Sequence, residues 1–406
     1  MKPRQWAIEV VKTLQTAGFE ALFAGGCVRD SLLNIEPNDF DVATSATPDE
    51  VQQVFGNRKT LAIGKSFGVI TVLGPNPQLG IEVATFRRDG GYSDGRRPDS
   101  VEFTDAREDA LRRDFTINGM FFDPIAEQVI DFVDGQADLQ RKVIRAIGVP
   151  QQRIEEDRLR MLRAVRFAAT YGFELETETL RAIQKHAGDI DSVSPERIGT
   201  ELRKMLGHAN RSIAFDLLMK STLWQQILPA GLVERNWDQP NTTLAELNPQ
   251  SEFSIALALI LRGQAAKAAT LQEPWRLTNE EVARSDWILE NYTSLQRANE
   301  LPWSQLQPLL ISPHARSAVQ FLHAIKIAPE SPRSIVDSIK LCESKLALEK
   351  ETLDPPPLIR GDDLKAIGIE PGPAFKSILS EVRKRQLDGQ LTSAEVAKQW
   401  IADQHG

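Results

Sequence analysis

The chain has 406 residues and a mass of 45.3 kDa, beyond the roughly 250–300 residues at which a single hydrophobic core stops growing, so several structural units are expected. Its 41% hydrophobic and 26% charged residues form a globular balance that excludes a wholly disordered, collagenous or coiled-coil chain. The formal net charge of −8 excludes a polyanion partner held by overall charge, so any nucleic-acid site must be a local basic patch.

The N-terminal MKPRQWAIEVVKTL reads as an amphipathic helix with Trp6, Val10, Val11 and Leu14 on its buried face. It carries charges on both sides of a short apolar stretch, which is not the pattern of a secretory signal. Two cysteines, Cys27 and Cys342, cannot make a disulfide framework or a Cys-rich zinc site and fit a reducing compartment. The longest apolar run, Ile255 to Leu261, falls far short of the ~18 residues of a membrane span. A soluble, cytoplasmic protein with no membrane partner is expected.

From about residue 20 to 140 short β-branched runs alternate with turn residues: Gly68 to Leu73, Ile81 to Phe86 and Ser100 to Thr104 read as strands. Two segments before them carry chemistry. In Ala24-Gly-Gly-Cys-Val-Arg-Asp30 the Gly25-Gly26 turn lets backbone approach a triphosphate. Val28 to Leu33 then opens a helix whose N-terminus favours anions. In Asn38-Asp-Phe-Asp-Val-Ala-Thr44, strand alternation sends Asp39 and Asp41 to one side and Phe40 and Val42 into the core. Two carboxylates held so close repel unless a cation neutralises them, and hard oxygen ligands favour Mg²⁺. If the Ile81–Phe86 strand lies alongside, Glu82 becomes a third carboxylate facing the metal.

Ala110-Leu-Arg-Arg-Asp-Phe-Thr-Ile-Asn118 follows, with Arg112 and Arg113 as phosphate donors and Asp114 and Asn118 placed to hydrogen-bond a ribose. Beyond about residue 140 the apolar spacing turns helical, as in Leu159, Leu162, Val165 and Ala169, and the remainder reads as all-α. Between Arg141 and Arg166 eight basic residues stand against three acidic ones, a local +5. On a helix Asp157, Arg160, Arg163 and Arg166 would follow at three-residue spacing and project to nearly one side. Breakers at Asp238-Gln-Pro240, Ser331-Pro332 and Pro355-Pro-Pro357 suggest joints.

The ordered motifs GGCVRD, DFDVAT, EVATFR, RRDFTIN, DGQADLQRKVIRAIG, EDRLRMLRAVRF and SPERIGTELRKML resemble the class II tRNA nucleotidyltransferase and bacterial poly(A) polymerase family. The resemblance covers about the first 205 residues densely, and Leu358 to Pro373 is similar to the tail of many members. It implies an α+β architecture: a nucleotidyltransferase head with a small mixed sheet (1–143), a helical neck (144–207), a helical body (208–354) and a helical tail (355–406). It further implies that Asp39 and Asp41 bind catalytic metals, Mg²⁺, with Glu82 as the third carboxylate. Gly25, Gly26, Arg29, Arg113, Asp114 and Asn118 would hold triphosphate and ribose, Asp157 with Arg160 would read the base, and Arg163 and Arg166 would complete the nucleotide site. Asp134-Gly135 through Asp138 matches the hinge between head and neck, without the usual proline and second glycine.

The implied activity is CCA addition to tRNA 3′ ends from CTP and ATP. An Asp acceptor beside an Arg donor matches both cytosine and adenine, whereas uracil and guanine reverse that order. The loop Asp89 to Pro98, which a CC-only enzyme would lack in part, is kept. An A-adding enzyme remains open. A bacterial poly(A) polymerase ranks lower because the strongly basic C-terminal extension often found there is missing. A non-catalytic RNA-binding protein on a decayed transferase fold is the reading from another class, disfavoured by the intact Asp39, Asp41 and Glu82. No His-Asp phosphohydrolase pair is evident, so no appended phosphatase domain is expected, and oligomeric state is left undetermined.

Overall fold

The N-terminal apolar stripe folds as its spacing demands. In the computed structural model Ala7, Val10, Val11 and Leu14 of α1 (Pro3–Thr16) are fully buried, while Trp6 lies half-buried at the edge of the stripe. The structure describes residues 2–76, 79–91, 100–233, 240–264, 266–328, 332–370 and 372–405. After α1 come β1 (Ala21–Ala24), α2 (Gly26–Leu32), β2 (Asp41–Thr44), α3 (Pro48–Phe55), β3 (Thr60–Leu61), β4 (Val69–Leu73), β5 (Gly80–Thr85), β6 (Arg87–Asp89), β7 (Val101–Phe103), α4 (Ala106–Leu111), β8 (Phe121–Asp123), β9 (Gln128–Ile130) and α5 (Gly135–Arg141).

Seven of these strands form one mixed sheet in the order β3-β4-β5-β2-β1-β8-β9, while β6 and β7 pair as a separate hairpin. The β2–β5 pair is parallel and its neighbours in the sheet are antiparallel. All four residues of the central β1 are buried, so Ala21-Leu-Phe-Ala24 lacks the polar alternation of a half-exposed strand and was not legible as one. Leu22, Ala24, Ala43, Phe86, Ala106, Ala110 and Phe121 form the core cluster over this sheet.

The next segment contains β10 (Val143–Ile144), α6 (Pro150–Glu156), α7 (Arg160–Tyr171), β11 (Glu174–Leu175), α8 (Thr177–His186) and α9 (Pro195–Leu206). Two expectations need correction here. The region after residue 140 is not purely helical, because β10 and β11 pair in parallel, Val143 opposite Glu174. Asp157 is not on one helix with Arg160 and Arg163: it caps the end of α6 in extended conformation (φ −149°, ψ 104°), and α7 starts only at Arg160. Helix α7 ends at Gly172, whose left-handed φ of 65° closes it without a Cβ clash.

The chain separates into two compact units, Met1–Met205 with Ile213–Leu228, and Leu206–Ser212 with Pro229–Gly406. The described part of the second unit is built from helices. All nine residues of the helix Phe253–Leu261 are buried, which accounts for its apolar run. The buried Arg211 donates to the carbonyls of His208, Asn248 and Pro249. Ile359, Leu364, Ile378, Val382, Leu391, Ala397 and Ile401 form a separate cluster beyond the triple proline. Asp238, Gln239 and Ser331 of the other two expected joints lie outside the described residues. No helix among the described residues is long and apolar enough to cross a membrane.

Candidate active site in the first unit

The turn from β1 into α2 is built on Gly25, whose φ of 69° and ψ of −126° suit glycine alone. A Cβ there would stand 3.1 Å from Nη1 of Arg113, so the bare backbone also makes room for that guanidinium. Helix α2 begins at Gly26, two residues earlier than the sequence suggested. Beside it, Phe40 and Val42 are buried while Asp39 and Asp41 are open to solvent, as strand alternation requires. Val42 pairs with Val83 in the parallel β2–β5 ladder, so one step earlier Asp41 and Glu82 stand side by side. Desolvation and the charge of Glu82 raise the Asp41 carboxyl above its ordinary value; Arg113 opposes this and Asp39 adds to it.

The RRDFTIN segment is organised by a carboxylate that the sequence reading passed over. Asp109 on α4 is 1% exposed and takes Arg112 at 2.7 Å and Arg113 at 2.8 Å. Burial alone would push its carboxyl up, but Arg113 and Arg112 outweigh it and the pKa is lowered. The two arginines are thereby fixed as a pair. Asp114 accepts from Nε and Nη2 of Arg163 at 2.9 and 2.6 Å and from the Asn118 amide at 3.1 Å. Here too burial raises the carboxyl, and Arg163 with Asn118 brings it below the ordinary range. Asn118 in turn accepts from Arg29 at 2.5 Å, and Arg29 lies 4.7 Å above the ring of Tyr171. Burial pushes the Tyr171 hydroxyl up to about 12, and it donates to Asp30 at 2.9 Å.

These groups converge on a cleft of about 710 Å³ lined by Gly25, Gly26, Arg29, Asp39, Asp41, Arg113, Asp114, Asn118, Asp157, Arg160 and Arg163, together with Arg112, Phe167 and Lys204. Two of the nominated residues do not line it. Glu82 stands beside Asp41 in the β2–β5 register and is not among the lining residues. Arg166 is bound to Glu201 on α9 and stacks 4.0 Å over the Phe167 ring, so its charge is turned to holding α7 against α9. Phe167 and Lys204 were missed in sequence because an aromatic on an apolar helical stripe and a lysine on an amphipathic helix look like ordinary core and surface. Among the described residues Lys204 is the cleft-lining cation for which no ion pair is found.

The local +5 of the 141–166 segment also changes in three dimensions. Arg145 pairs with Asp138, Arg153 and Arg160 with Glu156, Arg163 with Asp114 and Arg166 with Glu201. Only Arg141, Lys142 and Arg158 of the eight are without an ion pair among the described residues. Counting charge along the chain missed acids brought in from Asp114, Asp138 and Glu201.

A model of the Poly A polymerase head domain matches residues 21–145, and one described as a probable RNA and SrmB-binding site of polymerase A matches 172–232. The chain is 34% identical over 396 residues to the CCA-adding enzyme of Limosilactobacillus fermentum, covering 95% of this chain and 92% of the relative. It belongs to the CCA-adding enzyme family. The CCA-adding enzyme of Bacillus pumilus is 33% identical over 407 residues, covering 98% of this chain and 97% of that one. The crystal structure of the Bacillus stearothermophilus CCA-adding enzyme in complex with CTP superposes with a TM-score of 0.78 at 26% identity, covering 100% of this chain and 98% of that one. The Thermotoga maritima CCA-adding enzyme complexed with tRNA_CCA shares the fold, with a TM-score of 0.71 at 20% identity over 100% of this chain and 97% of that one.

In this CCA-adding family member, a tRNA nucleotidyltransferase, the Asp109 hub makes a stability prediction. Asp109→Ala takes the buried carboxylate from two arginines, leaving Arg112 with Asp89 and the Arg87 carbonyl and Arg113 with the Asn118 carbonyl, and is expected to cost about 3 kcal/mol in urea unfolding, the lower end for a broken buried pair. Its depressed pKa, like that of Asp114, means the contribution is full above the ordinary carboxyl value and lost as pH falls through the lowered one. The wild type should therefore lose stability on acidification below the carboxylate range, and Asp109→Ala should show less of that loss. An Asp109→Ala protein as stable as wild type at neutral pH would remove the hub.

Proposed function

We propose that this chain builds or repairs the CCA end of tRNA from CTP and ATP without a nucleic-acid template, in the cleft of the first unit. The observation that carries the reading is the convergence in one cavity of the exposed Asp39–Asp41 pair, the Gly25 turn and the Asp157 and Arg160 side chains. In the reaction the primer 3′-hydroxyl gives up its proton to solvent as its oxygen forms a bond to the α-phosphorus, the bond from that phosphorus to the bridging oxygen breaks, and pyrophosphate leaves with the electron pair.

The donor set fits a hard divalent cation, for which Mg²⁺ is proposed. Asp39 and Asp41 are adjacent, solvent-open oxygen donors, and desolvation with the charges of Glu82 and Asp39 raises the Asp41 carboxyl. Among the described residues no group of three or more His, Cys, Asp or Glu side chains is placed to hold a metal, so the proposed site is a two-carboxylate one, with Glu82 supporting Asp41. The bound cation would supply charge neutralisation at the attacking and leaving oxygens. Gly25 and Gly26 admit the phosphates close to the backbone, and Arg113, fixed by Asp109, offers them its remaining Nη1 and Nη2 N–H groups. Asp114 and Asn118 position the ribose. Asp157 accepts the exocyclic amine of cytosine or adenine, and Arg160 donates to the neighbouring ring nitrogen. Head, neck, body and tail divide the work as 1–143, 144–207, 208–354 and 355–406, with the helical parts holding tRNA.

The test uses tRNAs ending before, within and after CC, with each nucleotide supplied alone. Sequential addition of C, C and A is the expected result. Addition of A alone to a CC end would replace the reading with an A-adding one, and no incorporation of any nucleotide would end it. The Asp89–Pro98 loop bears on this choice, but its residues 92–98 lie outside the described residues.

Binding of tRNA should also report which cations are free. If Arg141, Lys142 and Arg158 meet phosphates, replacing all three by Gln should reduce the slope of log affinity against log salt by about 3, roughly one per contact. Arg145→Gln should leave the slope unchanged. Equal effects of Arg145→Gln and the triple variant would mean that the internal ion pairs open on binding.

A further inference from the structure

The SPERIGTELRKML motif forms α9 and brings Lys204 to the wall of the cleft. Helix α9 places Arg197, Glu201 and Lys204 at i, i+4 and i+7, one face of the helix. Each of the three meets the site differently. Lys204 lines the cleft, Glu201 binds Arg166 of α7, and Nη2 of Arg197 donates to Oδ2 of Asp157 at 2.7 Å. The Arg197 and Asp157 side chains are 22% and 18% exposed, so the contact is not one of the freely solvated surface pairs that contribute little.

The two side chains proposed to read the base are not bonded to each other. Asp157 is held by groups that do not line the cleft, and Arg160 by two such groups and by the Arg112 carbonyl. Asp157 sits in the break between α6 and α7, where no helix fixes its direction; its Oδ1 accepts from the Leu159 backbone N–H at 3.1 Å and its Oδ2 from Arg197. A carboxylate has about four acceptor directions, so two remain for a ligand, in a plane set by those two donors. Arg160 donates through Nη1 to Glu156 and to the Arg153 carbonyl and through Nη2 to the Arg112 carbonyl. Three of its five N–H groups are used, which leaves its Nε–H and one Nη2–H.

We infer that Arg197 is a positioning residue for base selection: its guanidinium fixes the plane of the Asp157 carboxylate so that only a base carrying an amine donor beside a ring acceptor is matched. The inference rests on the reading of Asp157 and Arg160 as the base-reading pair. Its physical basis is the restriction of rotation. A carboxylate free to turn about its Cβ–Cγ bond can move its acceptors away from the carbonyl of uracil or guanine and admit a water between them. A carboxylate clamped by Arg197 cannot, and the wrong base then leaves buried polar groups unpaired. The clamp acts on discrimination more than on the reaction itself.

The experiment is a double-mutant cycle in the full-length protein with R197M, D157A and the double variant, accompanied by R197K. The readout is kcat/KM for CTP and UTP on a tRNA primer lacking CCA, and for ATP and GTP on one ending in CC. R197M is expected to lower the CTP-over-UTP and ATP-over-GTP preferences by about tenfold or more, the scale of one lost polar match. R197K, which keeps a donor and a positive charge, should recover part of the preference. In the D157A background R197M should change the preference no further, because its effect passes through Asp157. An unchanged preference in R197M, or an equal loss with and without Asp157, overturns the inference. So does a lowered unfolding midpoint with equal slowing for all four nucleotides, which would make Arg197 structural only. If D157A itself keeps the full preference, the base-reading role of Asp157 falls and that of Arg197 with it. A responsive D157A beside an unresponsive R197M removes Arg197 alone.

Discussion

Asp39→Ala and Asp41→Ala are each expected to reduce incorporation of C and of A alike by at least about a thousandfold, since on the proposed reading both additions need the several kcal/mol of charge stabilisation that a cation bound there would provide. tRNA affinity should be nearly unchanged, because the two carboxylates contribute nothing attractive to a polyanion. Single-turnover incorporation with each nucleotide and a separate tRNA binding measurement check the two halves. Near-normal turnover in either variant would remove the metal assignment. Glu82→Ala gives a graded companion result: Glu82 stands beside Asp41 in the β2–β5 register but does not line the cleft. A loss smaller than that of either aspartate is expected if Glu82 acts by supporting Asp41, and a loss of equal size would make it a direct ligand.

The second large effect concerns selection. Asp157→Ala removes the proposed acceptor for the exocyclic amine and Arg160→Ala the proposed donor to the ring nitrogen. Each should slow CTP and ATP while sparing UTP and GTP, so that the preference falls by about 10- to 100-fold per lost partner, from the ~1–3 kcal/mol cost of an unpaired buried polar group. Both changes should also cost stability, Asp157→Ala by leaving Arg197 and the Leu159 N–H without their partner and Arg160→Ala by freeing Glu156 and the carbonyls of Arg153 and Arg112. The check is kcat/KM for all four nucleotides beside an unfolding midpoint for each variant. Uniform slowing with the preference intact would place selection elsewhere in the cleft.

Much of the head is legible in the sequence because local rules decide it. Strand alternation alone puts Asp39 and Asp41 outward and Phe40 and Val42 inward, and the structure obeys it. The glycine turn before α2 and the helical stripe of α7 are likewise local, as is the one-sided burial of α1. Where the reading failed, a local rule had been extended over a break. Three-residue spacing from Asp157 to Arg163 presumed a continuous helix, and the chain interrupts it between Glu156 and Arg160. Asp157 reaches the cleft all the same, from an extended residue rather than from a helical face.

Other features belong to tertiary structure alone. Asp109 stands at i, i+3 and i+4 with Arg112 and Arg113, a local spacing, but that the pair of contacts is buried on α4 depends on packing. The fate of the basic segment depends on Asp114, Asp138 and Glu201 arriving from elsewhere in the sequence to neutralise Arg163, Arg145 and Arg166. Arg197 lies 40 positions from Asp157 and meets it only because α9 packs beside the α6–α7 break. By itself the sequence determined which residue types are proposed to carry the chemistry and, for the Asp39–Asp41 strand, through short-range periodicity, which way they point. Which charges remain free and which are consumed in holding others was decided by packing, since pairing falls off over a few ångströms of space and takes no account of distance along the chain.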